Sequence, residues 1–239
     1  MQGFASACVF CRHDRGVARF VHSDDFTASG PSNALDWFEG EVGNKYEISI
    51  GPGLGPGRDD AKESRALNRV IRWTEDQGEA VIEYEADPRQ AEKLVKECGL
   101  EGAKPMGTPG VKAGFQELEQ DASLPQRHHT AFRGAAARGN YLAADRVDVQ
   151  FATKEVCRSM SAPSEHGWKS LKRIARFLAG RPRLVYRYRQ QEAHAIDVYS
   201  DTDWGGCPKT RKSTSGGVVM LGSHTIKHWS STQPSVSLS

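Results

Sequence analysis

The sequence predicts an α+β protein, and three observations carry that reading. Short alternating segments with polar turns open the chain between residues 17 and 84. Apolar residues at helical spacing then dominate residues 88–98 and 132–178, and three further β-rich segments follow residue 196. Strands and helices that occur in runs, rather than in strict alternation, argue for segregated layers instead of a doubly wound parallel sheet.

Taken in order, residues 17–20 alternate apolar and polar side chains, reach His22-Ser23-Asp24-Asp25, and resume at Phe26-Thr27-Ala28. This predicts a hairpin with acids at its tip. Gly30-Pro31 closes it and Ser32 is placed to cap a helix with Leu35, Phe38 and Val42 on one face, stopped at Gly43-Asn44. A short strand is predicted over residues 46–50, followed by a Gly/Pro-rich loop over 51–57 and a solvated charged stretch over 58–65. Residues 67–74 and 80–84 read as a second hairpin around Gly78, with helix as the competing reading of its first arm.

Pro88 opens a helix whose Ala91, Leu94, Val95 and Cys98 share a face before Gly99 ends it. Residues 104–110, bounded by Pro105 and Pro109-Gly110, form a linker. Helices follow over residues 132–144 and 149–160. Ser164 caps another helix, which turns Trp168, Leu171, Ala175 and Leu178 inward and ends at Gly180-Arg181-Pro182. Strands are predicted over 196–199, 217–221 and 225–229, with turns at 203–212 and 222–223.

A net charge of +2 conceals an uneven distribution, since residues 168–189 carry eight Lys or Arg and no acid. Lys169, Lys172, Arg173, Arg176, Arg181 and Arg183, beside Trp168, Phe177, Tyr186 and Tyr188, suit a phosphate backbone; a solvated helix face is the other reading. The five cysteines are odd in number and scattered, which points to reduced thiols in an intracellular compartment, cytoplasmic or nuclear. Only Cys8 and Cys11 have ligand-like spacing; without a second pair they read as strand residues before they read as a zinc site. The leading Met-Gln-Gly-Phe lacks a signal pattern and no apolar run reaches the length of a membrane span. No partner membrane is therefore expected.

Adjacent carboxylates such as Asp24 and Asp25 repel unless a cation shares them, and hard oxygens suit Mg2+. A strand, an x-x-Asp-Asp turn, a second strand, a helix and another hairpin in this order resemble the palm of reverse transcriptases. The resemblance extends through Leu67-Asn68-Arg69-Val70-Ile71-Arg72-Trp73-Thr74, Glu83-Tyr84-Glu85-Ala86-Asp87-Pro88, Lys104-Pro105-Met106-Gly107-Thr108-Pro109 and Asp145-Arg146-Val147-Asp148. It is most specific at Tyr199-Ser200-Asp201-Thr202-Asp203-Trp204-Gly205-Gly206, Arg211-Lys212-Ser213-Thr214-Ser215-Gly216-Gly217 and Trp229-Ser230-Ser231-Thr232-Gln233. The whole resembles the polyprotein of copia-like retrotransposons.

That resemblance implies an incomplete palm and thumb-like region over residues 1–112, a helical connection with the basic segment over 113–190, and a three-stranded start of a ribonuclease H sheet over 191–239. It implies Asp24, Asp25 and Asp201 as catalytic, Mg2+-binding carboxylates and an RNA/DNA hybrid or other nucleic acid as partner. His22 stands where the family commonly has an aromatic residue, and Val147 where it usually has Pro. Two-metal phosphoryl transfer needs a cluster of carboxylates. A further palm Asp would precede Met1 and a ribonuclease Glu would follow Ser239, so the chain is expected to be truncated at both ends, inactive alone and partly disordered. Residues 191–239 are expected to expose an apolar face and strand edges.

Overall fold

The computed structural model describes residue 3 and residues 6–236. Most of the Met1–Phe4 stretch and the last three residues of the 191–239 segment lie outside the described residues. The chain divides into two compact units, Met1–Ala61 and Lys62–Ser239. The divisions expected at 112/113 and 190/191 both fall inside the second unit. The mixture of helices and antiparallel strands agrees with the α+β class.

In the first unit, β1 (Val9–Arg12), β2 (Val17–His22) and β3 (Asp25–Ser29) form an antiparallel sheet in that order. The β2–β3 hairpin is the predicted one, with His22 opposite Asp25 and Ser23 at a positive φ of 54° in its turn. Helix α1 (Ser32–Gly43) buries Ala34 and Phe38, while Leu35 and Val42 are half-buried. Ser32 does not cap it. The cap position falls on Pro31 and no side chain accepts from the first turn, because Ser32 already lies inside the helix. The strand predicted over 46–50 is irregular chain instead. Tyr46 and Ile50 are exposed, so their alternation has neither an apolar face to cover nor a neighbouring strand to pair with.

The second unit contains a four-stranded antiparallel sheet of β4 (Glu63–Ala66), β5 (Arg69–Asp76), β6 (Glu79–Glu85) and β7 (Val185–Arg189). Strand β4 lies in the stretch expected to be solvated loop. Its side chains are mostly exposed, but its backbone pairs with β5 from Glu63 opposite Arg72 to Ala66 opposite Arg69. The first arm of the second hairpin is strand rather than helix. Two-residue turns at Leu67-Asn68 and Gln77-Gly78, with positive φ at all four residues, match the twist of the strands they join.

Helices α2 (Pro88–Glu97), α4 (His129–Ala143), α5 (Val147–Cys157) and α6 (Glu165–Gly180) pack on one another, with a short α3 (Phe115–Glu119) on the connection before them. Their core contains Leu94, Phe132, Leu142, Val149, Leu171, Ile174, Phe177 and Leu178. The Asp87 side chain accepts from Arg89 N at the start of α2, and Ser164 accepts from Gly167 N at the start of α6 as predicted. Each satisfies one of the open N–H groups of a first helical turn.

The remaining strands, β8 (Ile196–Thr202), β9 (Lys212–Leu221) and β10 (His224–Val236), form a separate antiparallel sheet with β9 in the middle. All three are longer than predicted. Strand β10 packs on α5 and touches β7. Every residue of β8 is exposed, and Ile196, Val198, Tyr199 and Trp204 are each at least 60% accessible. This is the uncovered apolar surface expected of the segment.

Candidate nucleic-acid interface and carboxylate sites

Asp24 and Asp25 stand at the β2–β3 turn, both exposed. Neither accepts an ion pair among the described residues. The hairpin places two neighbouring carboxylates at one tip and supplies no third. Asp201 lies in the other unit, exposed on β8, where its Oδ1 accepts from Thr202 N at 2.8 Å. Asp203 is occupied differently: its Oδ1 accepts from Thr214 N across the turn. It fastens the β8–β9 connection. Among the described residues no cluster of three Asp, Glu, His or Cys side chains suits a metal ion. The acids present therefore do not fit a two-metal centre, which needs several carboxylates around ions about 3.5–4 Å apart.

The basic segment is divided by its own fold. Arg173 donates from Nε to Thr108 O (3.1 Å) and from Nη2 to Thr108 Oγ1 (2.8 Å). Arg176 donates to Lys104 O at 2.7 Å, and its carbonyl accepts from Met106 N. These bonds lay the 104–110 linker along α6. Gly180 permits the approach, since a Cβ there would sit 2.6 Å from the Pro105 Cβ. Arg183 donates twice to Glu85, at 2.6 and 2.7 Å. Arg187 pairs with Asp76 and Glu83, and Arg189 with Asp76 and Glu79.

Five of the eight bases have no acid partner among the described residues, and with Arg173 and Arg176 bonded to the linker three remain without either kind of partner: Lys169 and Arg181, both exposed, and Lys172, half-buried. Lys172 Nζ sits 5.2 Å from the Trp168 ring centre, and His128 stacks on that ring at 6.4 Å. Arg181 lies over Phe177. The other aromatics expected at the interface are otherwise engaged. Phe177 is buried in the core, Tyr186 stacks on His228, and Tyr188 donates to Thr225 O at 3.0 Å. The arrangement leaves Lys169 and Lys172 near the Trp168–His128 pair at the start of α6 and Arg181 at its opposite end, three positions whose charge a phosphate backbone could meet.

Sequence reasoning missed the acids that neutralise the rest. Glu85 is 1% exposed and also accepts from Arg72 Nη1 at 2.6 Å. Burial raises its pKa, but the bonds from Arg183 and Arg72 outweigh that and hold it below the usual carboxylate value. A signal was present in the alternation of Glu79, Glu83 and Glu85 with apolar residues on β6, matched by Arg187 and Arg189 on β7. Nor did the Asp145-Arg146-Val147-Asp148 motif suggest its role. Asp145 accepts from Tyr84 Oη at 2.6 Å and from Arg69 at 2.9 Å. Arg146, 1% exposed, donates to both Asp148 oxygens and to the carbonyls of Arg181 and Pro182. The motif fastens helices to sheet and satisfies the end of α6.

No family model matches the chain, and no solved structure matches it at a significant level. The retrovirus-related Pol polyprotein from transposon RE2 of Arabidopsis thaliana is 35% identical over 138 residues, covering 58% of this chain and 9% of that protein. The corresponding polyprotein from transposon RE1 of the same plant matches with the same identity and coverage. An uncharacterized mitochondrial protein of Arabidopsis thaliana is 30% identical over 152 residues, 63% of this chain and 62% of that protein. The match thus spans only 9% of the length of the two polyproteins. Over that stretch the chain is a homologue of the retrovirus-related Pol polyproteins of copia-like retrotransposons.

Proposed function

We propose that the chain corresponds to the part of a retrotransposon polyprotein that runs from the reverse-transcriptase palm into ribonuclease H, and that by itself it binds nucleic acid without copying or cutting it. The observation that carries the reading is the 35% identity over 138 residues to two Pol polyproteins. The parent activity that follows from it is RNA-directed DNA synthesis with degradation of the RNA strand. Asp24, Asp25 and Asp201 are the acids this reading assigns to Mg2+. Because these acids do not assemble a two-metal centre, no catalytic step is assigned to them.

Binding rests on Lys169, Lys172 and Arg181. A polyanion meets these three without displacing an existing ion pair, whereas Arg183, Arg187 and Arg189 must first leave their acids. The test is fluorescence anisotropy of a labelled RNA–DNA hybrid against salt, run beside a Mg2+-dependent primer-extension and RNA-cleavage assay on the same preparation. Three phosphate contacts give a slope of log affinity against log salt near −2 to −3, from about −0.9 per contact. Salt-independent binding, or none, overturns the interface. Primer extension or cleavage by the chain overturns its inactivity.

A further inference from the structure

The 104–110 linker crosses α6 over a stripe of bases. Lys169, Arg173 and Arg176 stand at i, i+4 and i+7 of the helix, the spacing that brings side chains onto one face. Arg173 reaches Thr108 with two hydrogen bonds, one of them 2.8 Å from Nη2 to the hydroxyl oxygen, and Arg176 holds the Lys104 carbonyl. The acceptors that the linker offers these two guanidinium groups are all neutral, so their charge is uncompensated by an acid among the described residues. Lys169, one turn before Arg173, is exposed.

Thr108 is exposed in irregular chain and precedes Pro109, whose ring disfavours helix at the residue before it and keeps that residue extended. Of the chain's eleven prolines, Pro109 alone follows a serine or threonine. An exposed, extended Thr-Pro pair is the acceptor form that proline-directed protein kinases read. We propose that Thr108 is a phosphorylation site and that Arg173 and Lys169 hold the phosphate once it is made. The site stands on the linker geometry; its effect on nucleic acid rests on the binding role proposed above. In the transfer, Thr108 Oγ1 attacks the γ-phosphorus of ATP bound to the kinase. The bond from that phosphorus to the oxygen bridging it to the β-phosphate breaks, ADP leaves, and the hydroxyl proton passes to a base of the kinase.

Charge and geometry favour the modified side chain at this place. Phosphorylation adds about −1.5 to −2 charge and three acceptor oxygens at pH 7, on an oxygen that Arg173 Nη2 already touches. The guanidinium fork matches phosphate geometry and exchanges a neutral acceptor for a charge-assisted bond. Lys169 stands one turn away, about 5.4 Å along the axis, within reach of the same group. The phosphate therefore neutralises two bases of the stripe and fastens the linker to α6. Lys169 is withdrawn from a polyanion, and Lys172 and Arg181 are left to meet one.

The test treats the full chain with a mitogen-activated protein kinase, Mg2+ and ATP, and locates the phosphate by mass spectrometry. Thr108 is expected to carry it, and Thr108→Ala to take up none there. Phosphorus NMR then follows the second ionisation of the phosphate, which lies near 6 for an unpaired phosphothreonine. In the folded chain it is expected about 0.5 or more below its value in the same chain unfolded in urea, and Arg173→Gln or the exposed Lys169→Gln moves it back. Anisotropy of the labelled hybrid against salt gives a slope shallower by about one for the phosphorylated chain, whereas kinase-treated Thr108→Ala keeps the parent slope. A parent that does not bind the hybrid overturns the binding role, and the NMR titration still decides the phosphate site. No phosphate on Thr108, a titration that neither Gln variant moves, or an unchanged slope in a chain that binds the hybrid overturns the proposal.

Discussion

Arg183 and Glu85, 98 residues apart in sequence, meet through two hydrogen bonds of 2.6 and 2.7 Å. Glu85 also holds Arg72 at 2.6 Å, so one buried carboxylate joins two strands of the sheet to the chain leaving α6. Replacing it by Gln keeps the shape and removes the charge. Glu85→Gln is expected to destabilise the second unit by about 2–3 kcal/mol, below the usual cost of breaking a fully buried pair because Arg183 is half exposed. Its lowered pKa fixes the sign with pH. The contribution is present above the ordinary carboxylate pKa and is lost as pH falls through the lower folded value. Urea unfolding of parent and variant between pH 7 and pH 3 shows the gap closing as the solution is acidified.

His228 carries the opposite protonation chemistry with the same direction in pH. Its ring lies between Gln150 Oε1 (3.0 Å) and Tyr186 Oη (3.3 Å), and burial lowers its pKa although Asp145 pulls the other way. A lowered imidazole pKa favours the neutral folded form, so stability is complete above the unfolded value near 6.5 and falls as pH drops through the folded value. The protection of β10 amides, measured against their intrinsic exchange rates at each pH, is expected to fall between pH 7 and pH 5. His228→Gln, which cannot gain the proton, flattens that dependence.

Arg146 has no exposed route for its charge. Arg146→Ala strands Asp148 and leaves the carbonyls of Arg181 and Pro182 without donors, at an expected cost of about 3–5 kcal/mol. For a unit of this size that lowers the midpoint of thermal unfolding by roughly 6–20 °C. Arg146→Lys recovers only part of the loss, since a point charge cannot span a carboxylate and two carbonyls.

Gly217 tests the packing of the terminal sheet. A Cβ there would come within 2.3 Å of the Trp229 ring and 2.7 Å of Tyr199 O. Gly217→Ala must push the indole outward and is expected to cost about 1–3 kcal/mol. A red shift in tryptophan emission, absent when Trp229 is also replaced by Phe, reports the displacement.

Charge reversal separates the two classes of base on the interface. Lys169→Glu or Arg181→Glu is expected to weaken hybrid binding and to lower the salt slope by about one or more. Arg176→Gln leaves the slope unchanged while loosening the linker that its Nε holds at Lys104 O. Equal slopes for all three variants would place the phosphates elsewhere.

The sequence made the amphipathic elements legible. Ala91 and Leu94 on α2 with Cys98 at its C-terminal cap, and Leu171, Ala175 and Leu178 on α6, are buried as their spacing requires. It concealed strands whose evidence lies in a partner. Strand β4 is a run of Glu, Ser, Arg and Ala whose backbone alone pairs, and β7 reads as a basic cluster until its arginines meet the acids of β6 and the turn before it. The 46–50 stretch failed in reverse, with good alternation and no neighbour. The candidate acids could be located on their turn and strand, but residue types alone could not show how many cations survive neutralisation. That number depends on Glu85, Asp76 and Glu83, which are distant from the basic segment in sequence.

Strand β7 pairs with a strand that ended about a hundred residues earlier, with Glu83 opposite Arg187. During synthesis the ribosome must therefore release the whole helical region before β6 gains its second neighbour, and the loop to be closed is long. Until then β6 offers an open edge bearing Val81 and Ile82, and Glu85 has only one of its two arginines. A stop codon anywhere before Val185 would leave this half-built sheet permanently exposed, a substrate for proteolysis or aggregation. The reading frame beyond the helices is thus under a folding constraint that does not depend on any catalytic residue.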